Sequence, residues 1–366
     1  MNWHVGISAK RLLIAAASAR PYVRAAAAAG YQVIAADIFG DEDTRRNAFE
    51  VLQLAYGYNG FDAYDVRRQL LPRLRDGDIG FVFGSGFEHA PELIDEIAAV
   101  APVWGNASGV VRAVKSPSSF FNALARLRIP APSWSAHPVD GWLCKAEGGS
   151  GGTHVSAHSI GGAGYFQQPL PGSPFAMLFL ADGRDAVEIG IHAQKLAPTV
   201  ATPFRYGGAV SRAILPDGVK AGMFQAAQSL TREFGLRGLN SLDCMVDGEA
   251  WWVLEINPRL SAGFGLYDAA SEGARLFEAH LRACEGVLDW QERPESARAH
   301  LIYYAHEDLI IPTGLAWPDW VADIPPAGTT VRYGDPLCSI LAAAGTAEEA
   351  ALEADSCARR LKTLLS

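Results

Sequence analysis

An α/β domain on a parallel sheet, then a strand-rich α+β region, then a small β-rich module ending in a helix, is the fold class that these 366 residues predict. Three observations carry the prediction. Apolar strand-like runs alternate with helical segments up to about residue 105. From Trp142 the character changes to strands, Gly-rich turns and hairpins. At "DWQERPESARAH" (289–300) the composition shifts again.

Leu12 to Ala17 reads as a buried strand and Pro21 to Ala29 as a helix, with Pro21 in its first turn and Gly30 at its end. "YQVIAAD" gives a second strand finishing at Asp37. "DIGFVFGSGFE" (78–88) adds a strand running into a Gly-rich turn, "PELIDEIAAV" a helix opened by Pro91, and "VWG" around Trp104 a short strand. Such βαβ alternation implies a Rossmann-like parallel sheet over residues 1–105, with ligands near the carboxyl ends of its strands. Asn106 to Ile129 reads as helical after its start and is closed by "IPAPSW". "WLCKA", "HVSAH", "GYFQQPL", "PFAMLFLADGRDAVEIGIHAQKL" and "FRYGGAVSRAIL" are strand material, with "ADGRD" as a hairpin turn. "AGMFQAAQSLTREFG" is an amphipathic helix stopped by Gly235, and "LNSLDCMVDGEAWWVLEIN" a hairpin. After a helical stretch around 273–285, a boundary near 298 closes a second domain (106–298). The tail, 299–366, holds two short strands around "YGDP" and a final helix.

Hydrophobic residues make up 49% and charged residues 19%, the balance of a globular protein. The net charge of −9 and the lack of a long basic run argue against nucleic-acid and anionic-membrane partners. Five cysteines lie far apart with no CxxC pair, against a disulfide framework or zinc cluster and for a reducing cytoplasm. No apolar stretch approaches the roughly 20 residues of a membrane helix. "AKRLLIAAASAR" (9–20) imitates a signal peptide, but its apolar run is short and strand, helix, strand follow, so a cytoplasmic protein is expected. The nine histidines show no ligand spacing, and no serine sits in a G-x-S-x-G elbow.

The chemistry concentrates in "WWVLEINPRLSAG" (251–263). A core strand has no use for a carboxylate, an amide and a guanidinium unless they are paired or hydrated. Glu255 and Asn257 are i and i+2, on one face. Asp243, on the preceding strand, joins them only in one register. A two-residue Asp247-Gly248 turn sets it opposite Trp252 and away from them. A loop of three or five residues sets it opposite Val253, on the face of Glu255, so convergence predicts the longer loop. Two carboxylates and an amide are hard oxygen donors suited to Mg²⁺ shared with phosphate oxygens; the plainer reading is a hairpin with a solvated polar face. Arg259, just past Pro258, is a fixed cation able to grip a phosphoryl group.

"CKAEGGSGGTHV" (144–155) places Lys145 at a strand end before Gly148, Gly149, Ser150, Gly151 and Gly152, a turn whose N–H groups can approach phosphate. It is neither a P-loop nor a dinucleotide fingerprint. Lys115, at a helix entrance, is a weak signal alone. In "FGSGFE" (83–88), the turn at Gly86 can expose backbone N–H groups and Glu88 can accept from a substrate amine, against the alternative of a plain βα turn. Asp37 invites a ribose-binding role that the missing G-x-G-x-x-G argues against.

In this order the segments resemble the ATP-grasp superfamily of carboxylate ligases over roughly residues 10–270. "RAVKSPSSFFNALARLRIPAPSW" is similar to the family's "DK…L…GIPVP" segment and "WLCKAEGGSGGTHV" to its lysine strand and glycine loop. "GYFQQPLPG" resembles the strand that holds adenine, with Gln167 or Gln168 for the frequent glutamate. "LRGLNSLDCMVDGEAWWVLEINPRLSAG" resembles the metal-binding hairpin closely, whereas Ala146 replaces a common proline. The resemblance implies a two-subdomain clamp on ATP behind an N-terminal domain that helps bind substrate. It assigns Mg²⁺, as one or two ions for which Mn²⁺ substitutes, to Asp243, Glu255 and Asn257. It assigns the γ-phosphate and acyl phosphate to Arg259, nucleotide phosphates to Lys115 and Lys145, and another phosphate or substrate cation role to Arg205. "SAR" (18–20), "DIFGDEDTR" (37–45), "FGSGFE" and the tail resemble a branch related to biotin carboxylase, met in one-carbon metabolism where glutamate-bearing pterin and furan cofactors are assembled. The tail lacks the Met-Lys-Met of a biotinylated hairpin. The implied reaction joins a small carboxylate to an amine through an acyl phosphate, in a monomer or a homodimer. Bicarbonate activation through carboxyphosphate and non-catalytic ATP sensing are the alternatives.

Overall fold

The computed structural model describes residues 11–57, 60–75, 78–156, 164–268, 273–291 and 296–365. The first domain is a five-stranded sheet of β1 (Arg11–Ala15), β2 (Gln32–Asp37), β3 (Glu50–Gln53), β4 (Ile79–Phe83) and β5 (Val103–Trp104). All neighbours are parallel, in the order β3-β2-β1-β4-β5. Leu12 to Ala15 are fully buried because helices cover both faces of the central strand, which is why β1 reads as an unbroken apolar run. The segment that imitates a signal peptide therefore supplies the middle of the sheet. Helix Arg20–Ala28 carries Pro21 in its first turn, where the missing N–H costs nothing.

The single helical stretch expected after Asn106 is two helices, Ser108–Lys115 and Pro117–Leu127. Ser116 between them is extended (ψ 117), as the residue before a proline prefers, and the break leaves Lys115 at a helix end. A small antiparallel sheet follows, from β6 (Trp134–Ser135), β7 (Leu143–Ala146), β8 (Val155–Ser156) and β9 (Gly164–Gln167), in the order β6-β9-β7-β8. The end of the expected "HVSAH" strand lies outside the described residues.

A large antiparallel sheet is built from β10 (Ser173–Asp182), β11 (Ala186–Leu196), β12 (Tyr206–Ser211), β13 (Arg237–Asp247), β14 (Ala250–Asn257) and β15 (Ala297–Tyr304). The chain continues through β16 (Leu309–Ile310), β17 (Val321–Ala322), β18 (Thr330–Val331) and β19 (Pro336–Ala344) to helix Ala347–Leu365. The large sheet runs β14-β13-β10-β11-β12-β15-β19-β17, and β16 pairs with β18. Position 298 thus falls within β15, whose ladder to β12 (Gly208 opposite Leu301) carries the sheet past it. The tail nonetheless packs a core of its own around Leu301, Ile340 and Leu361. Among the described residues, no helix is long and apolar enough to cross a membrane. Between the small sheet, the large sheet and the first domain lies a cavity of about 910 Å³.

Candidate active site

The β13–β14 hairpin turns through two residues: Asp247 pairs with Ala250, leaving Gly248 and Glu249 at the tip. The longer loop expected from the sequence is not used. The register instead shifts by one within the ladder, so that Cys244 faces Val253 but Asp243 faces Glu255, and Ser241 faces Asn257. Leu254 is the extra residue of this bulge, and it lines the cavity together with Glu255, while Val253 and Ile256 enter the core. A bulge brings the carboxylates together where a loop was expected to do so.

The result is a compact polar cluster. Asn257 Nδ2 donates to Asp243 Oδ2 (3.1 Å) and Glu255 Oε1 (3.4 Å). Lys115 Nζ reaches Asn257 Oδ1 (3.0 Å) and Glu255 Oε2 (3.3 Å) from its helix end. Ser241 Oγ donates to Asp243 Oδ1 (3.1 Å). Burial and the adjacent Glu255 carboxylate push Asp243 up to about 7. Burial would raise Glu255 too, but Lys115 and Lys145 outweigh it and hold its pKa well below the usual carboxylate range. Two repelling carboxylates fit a hard divalent cation, which relieves the repulsion, and Asn257 joins them as a donor once its amide turns its oxygen from Lys115 and Arg259 toward the ion. Among the described residues no three His, Cys, Asp or Glu side chains cluster as a metal cage. The donor set therefore suits an ion whose remaining ligands come from phosphate and water.

Arg259 stands beside the cluster, 6% exposed, with its Nη2 donating to Asn257 Oδ1 (3.2 Å) and its Nη1 to Leu260 O (3.2 Å). Its Nε donates to Glu88 Oε1 (2.7 Å), across 171 positions of sequence. The other Glu88 oxygen accepts from the backbone N–H groups of Gly86 (2.7 Å) and Phe87 (3.1 Å). Burial favours a protonated Glu88, yet Arg259 and Lys115 hold its pKa below the usual value. The turn expected to offer Gly86 N–H and Glu88 to a substrate is thus occupied internally, and its carboxylate orients Arg259. Arg205 is anchored partly by backbone carbonyls. Its donors go to Ala197 O (2.8 Å) and Gly334 O (2.9 Å), and its guanidinium lies 3.5 Å from the centre of the Tyr304 ring. It lines the cavity without an ion pair or hydrogen bond to the Asp243–Arg259 cluster among the described residues.

Lys145, on β7, is buried with its Nζ 5.8 Å from the Tyr165 ring centre. Burial opposes its charge, but Tyr165, Glu255 and Asp243 outweigh that and raise its pKa. The glycine loop behind it runs between the first domain and β12. A Cβ on Gly148 (φ +70) would sit 2.7 Å from His89 Cα, and one on Gly152 (φ +74) 1.8 Å from Phe204 O. Gly151 O accepts from Tyr206 N (2.9 Å), and Ser150 hydrogen-bonds Tyr56. Gly149 packs on the buried His154 ring. Gln167 and Gln168 line the cavity. Gln168 has its backbone N–H on Ser133 O, whereas the buried Gln167 Nε2 has no partner among the described residues and fits a polar edge of a base. Asn106, which the sequence marks only as the start of a helical stretch, is 1% exposed. Its Nδ2 donates to Pro258 O (3.0 Å), Asn240 Oδ1 (2.9 Å) and Arg237 O (3.1 Å), and its Oδ1 accepts from Arg237 N (2.8 Å). Its one sequence signal is an amide just past a strand end.

Residues 117–263 match the family model described as the ATP-grasp domain. Among solved structures, the chain superposes on the biotin carboxylase domain dimer of 2-oxoglutarate carboxylase from Hydrogenobacter thermophilus, a complex with MgADP, ADP and bicarbonate. The TM-score is 0.74 at 14% identity, over 95% of this chain and 89% of that one. The L-amino acid ligase of Bacillus licheniformis gives 0.68 at 14% identity, over 94% and 97%. N5-carboxyaminoimidazole ribonucleotide synthetase of Thermotoga maritima gives 0.66 at 13%, over 95% and 98%. No protein of curated function matches by sequence. The chain thus carries an ATP-grasp domain, set in the fold that biotin carboxylase shares with related ATP-grasp ligases.

Proposed function

We propose that this protein is an ATP- and Mg²⁺-dependent ligase that activates a carboxylate as an acyl phosphate for attack by an amine. The observation that carries this reading is the convergence of Asp243, Glu255, Asn257 and Arg259 in the lining of the cavity, which Lys145 and the glycine loop share, with Lys115 hydrogen-bonded to Glu255 and Asn257 behind them. A carboxylate does not accept an amine at neutral pH, because its leaving group would be oxide. Attack of a carboxylate oxygen on the γ-phosphorus releases ADP and makes that oxygen part of a good leaving group. The amine then attacks the carbonyl carbon, and phosphate departs with the C–O bonding electrons while the amine proton passes to phosphate or solvent.

Asp243, Glu255 and Asn257 would hold Mg²⁺, which when bound neutralises charge on the phosphates. Arg259, fixed by Glu88, grips the transferred phosphoryl group, and Lys115 and Lys145 balance the nucleotide phosphates. Gln167 and Gln168 meet the base. The glycine loop excludes water that would hydrolyse the acyl phosphate. Catalysis is positioning and charge neutralisation, with no covalent enzyme intermediate. Five unpaired cysteines support a reducing compartment, the cytoplasm. Assembly of a one-carbon cofactor is the proposed setting, and a homodimer the proposed assembly.

Trapping with hydroxylamine tests the reading. Protein, ATP and Mg²⁺ are incubated with a panel of carboxylates, and ADP and hydroxamate are scored against Glu255→Ala. The expected outcome is a hydroxamate from one acid, reduced in the variant by at least the ~10- to 100-fold that loss of even an outer-sphere metal partner costs. Release of AMP and pyrophosphate would exclude the mechanism. Bicarbonate as the activated acid is the second reading, supported by the likeness to a biotin carboxylase domain solved with bicarbonate. A bicarbonate requirement for ADP release separates it, and ATP binding without turnover on any acid favours a sensor.

A further inference from the structure

Away from the phosphate-binding cluster, the cavity runs along the first domain to a second polar wall. That wall is the point where the sheet order reverses, between β1 and β4. The loops after these strands lie side by side, Ala17 N donating to Ser85 O (3.0 Å), and Ala17, Ser18 and Ser85 all line the cavity. Open parallel sheets form a ligand crevice at such a point, with the amino end of a helix facing it. Here helix Arg20–Ala28 starts with no side-chain cap.

Arg20, the first residue of that helix, also lines the cavity and is 7% exposed. Its Nε donates to Asp323 Oδ1 (2.8 Å) and lies 3.4 Å from Asp43 Oδ2. No hydrogen bond from the described residues reaches its two terminal nitrogens. Asp323 enters the same cavity from the tail, hydrogen-bonded also by Ser18 Oγ (3.1 Å) and by Ser339. Its backbone is left-handed (φ +54), a strained state for a non-glycine residue. The Asp43 carboxylate holds it there by accepting from Asp323 N (2.9 Å) and Ile324 N (2.8 Å).

We propose that this end of the cavity binds a zwitterionic substrate, an amine that also bears a carboxylate, with the carboxylate on the terminal nitrogens of Arg20 and the amine beside Asp323. The charges select this class. Arg20 is outweighed by Asp323 and Asp43, so the pocket is already negative and a simple anion would add to that charge. A simple amine would leave the guanidinium fork unfilled. A zwitterion adds no net charge and engages both groups, and the planar fork suits a carboxylate held through two hydrogen bonds. Tyr22 and Tyr206 line the stretch between this pocket and Asp243, so the two ends open into one cavity. The identification of the bound zwitterion as one of the two molecules that the enzyme joins rests on the ligase reading.

Thermal shift measurements test the pocket directly. The probes are the twenty common amino acids, β-alanine and γ-aminobutyrate, each compared with its decarboxylated amine and its des-amino acid, with and without MgADP. At least one amino acid is expected to raise Tm while neither of its single-charge relatives does. Arg20→Gln and Arg20→Lys are expected to lose that response and to keep the Tm rise caused by MgADP. Arg20→Lys retains a cation for Asp323 and so preserves the fold should Arg20→Gln not do so. The proposal is overturned if no amino acid raises the wild-type Tm, if a single-charge relative does so equally, or if the response survives in Arg20→Lys. Absence of any MgADP response would sink the ligase reading instead, and the amino-acid responses without nucleotide would still decide the pocket.

Discussion

The two ends of the cavity are built in opposite ways. At the end proposed to bind phosphate, Asp243, Glu255 and Asn257 come from one hairpin, 14 positions apart at most. At the other end, Arg20 meets Asp323 across 303 positions. Backbone ladder pairing sets the first arrangement, so these three groups are placed by their neighbours in sequence. Domain docking sets the second, and it depends on the Asp43 carboxylate receiving the tail. The groups proposed to hold the metal thus sit where short-range pairing guarantees their placement. The end proposed to choose the substrate sits where remote segments meet and can change independently.

The sharpest way to break the local half of this contrast is to move its carboxylate by one position. Leu254 and Glu255 both line the cavity because of the bulge. In the double variant Leu254→Glu/Glu255→Leu the cavity keeps its carboxylate, but the group no longer faces Asp243. Hydroxamate formation should fall as far as in Glu255→Ala, by at least ~10- to 100-fold, with the urea midpoint nearly unchanged. Retained turnover would show that any carboxylate on this wall suffices.

Glu88 joins the two halves, since a first-domain turn holds the arginine that ends the hairpin. Glu88→Gln keeps the shape and removes the charge, leaving Arg259 buried and unmatched. Breaking a buried pair from one side costs about 4 kcal/mol, read as a lower urea midpoint. Misplacing Arg259 by about 1 Å would slow turnover on the order of 10²-fold. A variant with normal kcat would show that Arg259 is held without Glu88. Asn106→Ala should act more on stability than on rate. It strips hydrogen bonds from Arg237 N and O and Pro258 O, a loss of about 3 kcal/mol, with kcat changed less than in Glu88→Gln. An equal loss of kcat would mean that the Pro258 carbonyl contact positions Arg259 as strongly as Glu88 does.

How much of this was legible follows the same divide. Strands β1, β2 and β4 announce themselves because burial on both faces makes each a continuous apolar run. The polar groups at the end of β14 were visible as a breach of that rule. The bulge was not, because Leu254 is apolar and "DGEA" permits several turns; nothing local records that one residue is skipped. Glu88 read as a free carboxylate because its partner is 171 positions away. The carbonyl partners of Arg205, Ala197 and Gly334, leave no pattern in side-chain identity, so its anchoring was not legible. The continuation of the large sheet from β12 to β15 rests on backbone bonds beside Gly207 and Gly208, again silent in composition.

His280 tests the docking half by pH. It lies on helix Gly273–Cys284, 1% exposed, and its Nδ1 accepts from Leu239 N on β13 (2.9 Å). That ring nitrogen is therefore unprotonated, and Nε2 carries the hydrogen toward Trp104 O on β5 (3.3 Å). The neutral ring so ties the first domain to the large sheet. Burial lowers its pKa to about 4 from the ordinary value of 6.5. The unfolded chain then takes up the proton first as pH falls, so this contribution is intact above about pH 6.5 and is lost toward pH 4. Between pH 7 and pH 5 it amounts to about 2 kcal/mol. His192 and His300, lowered to about 4 by burial, add to the same trend. The difference between wild type and His280→Gln in urea unfolding at the two pH values isolates one ring. The variant should be less stable at pH 7 yet lose about 2 kcal/mol less on acidification. Parallel losses in the two proteins would mean that His280 is not what couples the domain junction to pH.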